Sequence, residues 1–258
     1  MLQRIYISLS YAVLAFAGPG VAIAQTDLVP ASYSEIRMPT VQAQGSSTLD
    51  MLLLGIANDD RAGLSLARLE AHDGLSSVAR AHARDMSVRG YVGYTDPSGL
   101  SLFDLVRQAN RTALIGSFGS SIAVLNAGAS PAEIHAAIQS DPANAEILRR
   151  GFRHAGVGTY TSDGRLYVVQ LFAQIDGELK QPLPMQLTEA TVINASLNSG
   201  SMTPVGWSLD DQRGGVLARG SGRRVQTAKG EPIAGYLNLD VAVGNDVYTL
   251  RGPFVQVN

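Results

Sequence analysis

Residues 75–106 read LSSVARAHARDMSVRGYVGYTDPSGLSLFDLV. The first half carries Leu75, Val78, Ala79, His82 and Met86 at i, i+3, i+4 and i+7 spacing, which predicts an amphipathic helix capped by Asp73 and closed by Gly90. A tight turn follows at Asp96-Pro97-Ser98-Gly99, and Ser101 with Asp104 has the spacing of a capping box, so a further helix begins there. Tyr94 sits on the rim between the two helices. Its place there raises the question of whether it packs, binds, or stands where another residue would act.

Working outward, Ser47-Thr48-Leu49-Asp50 and Ser130-Pro131-Ala132-Glu133 repeat the capping pattern, and Asp141-Pro142 starts one more short helix. The passage GSFGSSIAVLNAGA (116–129) reads as a glycine- and serine-rich loop. HAGVGTYT, a Ser162-Asp163-Gly164 turn and RLYVVQLFAQI predict a hairpin. After the proline-marked KQPLPM, short β-prone runs separated by Gly, Asn and Asp turns predict a small antiparallel sandwich or barrel.

The N-terminal MLQRIYISLSYAVLAFAGPGVAIAQ has a basic residue, an apolar run and a small-x-small site before Gln25, the pattern of a secretory signal peptide. No later stretch has the roughly 18 uninterrupted apolar residues of a membrane span. Cysteine is absent, which rules out a disulfide framework and a lipid anchor on cysteine. Removing residues 1–24 takes away Arg4 and no acid, leaving a net charge of −3. Arg149-Arg150 and Arg223-Arg224 are the only basic pairs, too few for a nucleic-acid surface.

Asn58 to Leu64, the stretch quoted above, SPAEIHAAIQSDPANAEIL, FRHAGVGTY and LYVVQLFAQ together resemble, in order, a bacterial domain of the CAP superfamily. That superfamily comprises the cysteine-rich secretory proteins, antigen 5 and the pathogenesis-related 1 proteins. The resemblance implies a CAP-type α/β/α sandwich over residues 48–176; with the lead-in at 25–47 and the linker and β-prone runs of 177–258 read above as a small all-β C-terminal domain, the chain is expected to be α+β. It also implies a cleft in which two histidines and acidic residues hold a divalent cation in some members.

This sequence departs from that pattern at each ligand. Tyr94 stands at the first histidine position, Gly119-Ser120-Ser121 lies where Gly-Glu-Asn is expected, and Ala143 stands at the second histidine position with Asn144 beside it. Phenol, hydroxyl, methyl and amide groups do not replace imidazole or carboxylate around a transition metal. Tyr94, Ser120, Ser121 and Asn144 are therefore the candidate ligand-binding residues, with no metal ligand, no cofactor and no catalytic residue assigned. The other histidines read as a packed His82, an exposed His72 at a helix start, His135 on a short helix and His154 opening a strand. No Gly-x-Ser-x-Gly elbow is present, and serines in the 116–129 passage read as turn formers.

The expectation is a secreted or periplasmic, non-catalytic binding module whose partner is a lipid, a glycan or a cell-envelope protein. Two alternatives remain open. One is a hydrolase acting on an envelope polymer or peptide; the other is an assembly protein whose β domain docks to a surface partner. Trp207 and Tyr236 are the aromatics of interest in that β domain, and both read as core.

Overall fold

In a computed structural model, which describes residues 47–187, 191–225 and 232–257, the local signals become elements largely where they occur. The signal-peptide and lead-in residues before Ser47 lie outside the described residues. Ser47 accepts from the Asp50 amide at 3.1 Å while the Asp50 carboxylate accepts from the Ser47 amide at 3.0 Å, and α1 (Thr48–Gly63) follows. After the short β1 (Glu70–Ala71) comes α2 (Asp73–Arg89), which ends at a left-handed Gly90. Its N-cap is His72, not Asp73. The His72 ring nitrogen Nδ1 accepts from the Leu75 amide at 3.2 Å, and Asp73 falls inside the first turn, where a carboxylate complements the helix dipole. That role leaves His72 half-buried instead of exposed.

Next come α3 (Leu102–Ala109), opened by the Ser101–Asp104 box, and β2 (Ala113–Asn126). The glycine- and serine-rich passage expected to be a loop is thus mostly strand. It is bonded along its length to a neighbour of high β propensity, and that pairing overrides its own weak preference. Helices α4 (Pro131–Gln139) and α5 (Pro142–Arg149) precede the hairpin of β3 (His154–Ser162) and β4 (Arg165–Leu179).

The C-terminal third gives β5 (Gln186–Leu187), β6 (Ala195–Leu197), β7 (Met202–Asp210), β8 (Val216–Gly220), β9 (Ile233–Val243) and β10 (Asp246–Val257). The strand order is β1-β3-β4-β2-β10-β9-β7-β8, so this third continues the sheet begun by the hairpin.

Two faces of β4 make two cores. Tyr167, Val169, Leu171, Ala173 and Ile175 pack under α2 and α3, while Leu166, Val168 and Phe172 pack under α1, α4 and α5. This is the expected α/β/α layering. Gly156 and Gly158 let α2 ride directly on β3, since a Cβ at either would fall within 2.2 Å of the α2 backbone.

Farther along, the sheet curls until it meets itself. β6 pairs with the end of β4, Val192 bridges to Arg224, and the Ile193 amide donates to the Arg223 carbonyl at 2.7 Å. The circuit of β6, β4, β2, β10, β9, β7 and β8 closes as a small barrel around Leu114, Trp207, Leu209, Leu237, Leu239 and Val255. Trp207 and Tyr236 are both buried, as core residues. The barrel borrows its first two staves from the ends of β2 and β4. Among the described residues, no helix is long and apolar enough to cross a membrane.

Candidate functional site

The platform of the cleft is β2. One side of it pairs with β4 from Ala113 to Asn126, but β10 meets the other side only at Arg251 opposite Ile115. Between Ser117 and Asn126 that second side is an open sheet edge among the described residues. Side chains alternate across it as a strand requires. Phe118, Ile122 and Val124 face the α2–α3 layer; Ala123 and Leu125 face the α1–α4 layer, and a Cβ on Gly119 would stand 3.0 Å from Phe152 and 3.1 Å from Ile147. Ser120 and Ser121 accordingly point to opposite faces.

One wall of the cleft is the turn after α2, held by a chain of polar contacts. His82 is buried, and its Nε2–H donates to the Gly93 carbonyl at 2.8 Å, which sets the tautomer. The Tyr91 hydroxyl donates to Asp85 at 2.6 Å, and Arg89 bonds both Asp85 and, at 3.0 Å, Asp96. Asp96 in turn accepts from the Ser98 and Leu100 amides at 2.9 Å each. Burial holds His82 below the usual imidazole range, against the pull of Asp85 and Asp96. For Asp85, burial is outweighed by the hydrogen bonds from Arg89 and Tyr91, and its carboxyl stays below its ordinary value.

Tyr94 projects from this wall with 46% of its surface exposed. Its hydroxyl lies close enough to the backbone amide of Ile122 on the open edge, and to Asp141, to be acted on electrostatically by both. Burial raises the phenol above its ordinary value, the Ile122 amide opposes that rise and Asp141 adds to it. Tyr94 thus spans the sheet edge from the α2–α3 layer toward the α4–α5 layer.

The opposite wall is built from the N-termini of α4 and α5. Asp141 caps α5 by accepting from the Ala143 amide at 2.8 Å, and Ala143 is exposed beside it. Asn144 is buried in the same turn, and Ser121 is 1% exposed. Of the four residues expected at the cleft, Tyr94 is exposed and Ser120 half-buried, whereas Ser121 and Asn144 are buried. Past Val124 the cleft widens into an open concavity of about 880 Å³ bounded by Val92, Asn126, Glu133, Ala137 and Arg165.

The donor set does not fit a divalent metal. Among the described residues, no group of three or more His, Cys, Asp or Glu side chains is arranged to hold one. The histidines are engaged elsewhere: His135 bonds Asp60 at 2.7 Å, and His154 meets the His72 ring edge-on at 6.0 Å. Sequence reasoning missed the Ile122 amide and Asp141. The alternation Phe118, Ser120, Ile122, Val124 was the available signal for an edge strand.

Residues 54–172 match the family model described as CAP, the cysteine-rich secretory protein family. No curated protein sequence matches the chain. Among solved structures, the chain is similar to an outer surface protein from Borrelia burgdorferi, at 20% identity and a TM-score of 0.45, covering 51% of this chain and 96% of that one. It is also similar to an extracellular protein containing a SCP domain from Bacillus anthracis, at 20% identity and a TM-score of 0.41, covering 51% and 45% respectively. Venom allergen-like protein 4 of Schistosoma mansoni gives 14% identity, a TM-score of 0.38 and coverage of 51% and 91%.

Proposed function

Residues 54–172 carry a domain of the cysteine-rich secretory protein (CAP) family, and on that premise we propose that this chain is an exported, non-catalytic binding module. Its cleft takes a lipid, a glycan or a segment of an envelope protein at the edge of β2. The observation that carries this reading is Tyr94. A half-exposed phenol beside the β2 edge, where the family pattern has a histidine, presents an aromatic face and a hydroxyl to a ligand in place of a coordination site. Export rests on the signal-peptide pattern of residues 1–24.

The test is a zinc titration by calorimetry on the wild-type chain beside a Tyr94→His/Ser120→Glu/Ala143→His variant that restores the family pattern. The expected result is no heat of binding for wild type and about one equivalent of zinc for the variant. Stoichiometric zinc on wild type would overturn the reading. A companion assay with peptidoglycan fragments and anionic phospholipid vesicles is expected to show binding that Tyr94→Ala weakens.

A further inference from the structure

The outward edge of β2 can be read residue by residue. Asp163 and Gly164 both have positive φ, of 49° and 71°, which makes the β3–β4 connection a two-residue hairpin whose closing pair, Ser162 and Arg165, is hydrogen-bonded. Odd-numbered residues of β4 then bond to β3 and even-numbered ones to β2. Through the unbroken register from Ser117 opposite Gln174 to Asn126 opposite Arg165, the odd residues of β2 bond inward. The amides and carbonyls of Phe118, Ser120, Ile122 and Val124 therefore point out of the sheet. The Tyr94 hydroxyl lies near the amide of Ile122.

An unpaired edge is a template for another strand. This one is recessed at its Val124 end, where Val92 stands on one side and Glu133 and Ala137 on the other. A second copy of the chain would present an edge walled in the same way. Two recessed edges cannot approach to the roughly 4.8 Å that strand pairing needs. A single extended chain can enter. Its side chains would alternate between a side lined by Val92, Phe118, Ile122 and Val124 and a side carrying the Glu133 carboxylate, with Asp141 near Tyr94 and Arg165 at the far end of the concavity.

We propose that the cleft accepts an extended peptide segment of a partner protein, alternating apolar and basic residues, which pairs with Phe118, Ser120 and Val124 and displaces the Tyr94 hydroxyl from Ile122. This deepens the binding-module reading and rests on it. Tyr94 acts as a plug, holding the place of a peptide carbonyl until the strand arrives. Backbone pairing supplies affinity, and the two walls supply the alternation that the peptide must match.

The experiment uses the full chain with an end-blocked octapeptide of alternating valine and lysine, the same peptide with glutamate for lysine, and single N-methyl versions of the lysine peptide. Binding is read by calorimetry and by amide exchange at Phe118, Ser120, Ile122 and Val124. The lysine peptide is expected to bind and to slow exchange at Phe118, Ser120 and Val124, and the glutamate peptide is expected not to bind. N-methylation at one parity is expected to weaken binding about tenfold per lost hydrogen bond and at the other parity to leave it unchanged. Tyr94→Phe is expected to bind more tightly and, without peptide, to exchange faster at Ile122.

Slow exchange at Phe118, Ser120 and Val124 in the unliganded chain would mean that the chain itself or a second copy fills the edge, which overturns the proposal. So would N-methylation without parity. If neither peptide binds while glycan or vesicle binding holds, this inference falls and the binding-module reading stands.

Discussion

The guanidinium of Arg107 on α3 lies 2.7 Å from Oδ1 of Asn238 on β9 and donates to it. Its remaining N–H groups bond the Gly252 carbonyl at 2.7 Å and the Leu237 carbonyl at 2.8 Å, and the Phe103 and Tyr236 rings flank it at 5.5 and 4.6 Å. Burial pushes its pKa down to about 10. A buried cation bonded to neutral acceptors and flanked by aromatic faces, with Asp104 and Asp210 acting on it from farther off, ties the helical layer to the barrel. Arg107→Ala is expected to cost about 2–4 kcal/mol, because it leaves buried carbonyls unpaired, and Arg107→Lys to recover only part of that loss. Urea midpoints at unchanged m-value check both.

Arg61 does the same work inside the helical layer. It is 1% exposed and donates to the carbonyls of Ala67 at 2.8 Å, Leu148 at 2.6 Å, Arg150 at 2.9 Å and Phe152 at 3.0 Å. These carbonyls include orphans at the end of α5. Lysine has no planar fork to reach them together. Arg61→Lys is expected to cost about 3 kcal/mol, which for a chain of this size lowers Tm by roughly 6–12 °C in calorimetry.

At Gly158 the limit is steric. An added Cβ would lie 2.1 Å from the Arg80 amide nitrogen, so α2 would have to lift off β3. Gly158→Ala is expected to cost about 3 kcal/mol or more. Gly128→Ala, where a Cβ meets nothing within 4 Å, should change stability by no more than about 0.5 kcal/mol. Denaturant melts of the two variants side by side make the comparison.

The pH dependence follows from His82. Its folded pKa lies below the ordinary imidazole value of 6.5, with burial as the main cause, so the native state favours the neutral ring. The unfolded chain takes up the proton first as pH falls. The contribution of His82 is fully present above about pH 6.5 and is lost as pH drops through the folded pKa. Melting temperatures between pH 7.5 and 4.5 are expected to fall more steeply in wild type than in His82→Gln, with His72, also lowered by burial, supplying a parallel slope common to both proteins.

Local signals were legible because their causes are local. The Ser47–Asp50, Ser101–Asp104 and Ser130–Glu133 boxes each satisfy orphaned helix donors within a few residues, and all three form as read. The same holds for the Asp163-Gly164 hairpin. His72 escaped notice as a cap because its ring nitrogen substitutes for the oxygen that caps usually carry.

By itself, then, the sequence determined most of the helix starts, the hairpin and the family likeness. Only the tertiary structure decided that 116–126 is a strand, that its outer edge is open among the described residues, that the Tyr94 hydroxyl lies near Ile122 on it, and that the last third closes into a barrel sharing staves with the sandwich. Those features depend on strand pairing between segments far apart in the chain, such as Ser121 opposite Gln170 and Ile115 opposite Arg251. Strand pairing takes its energy from the neighbour it finds, and no stretch of sequence carries its neighbour with it.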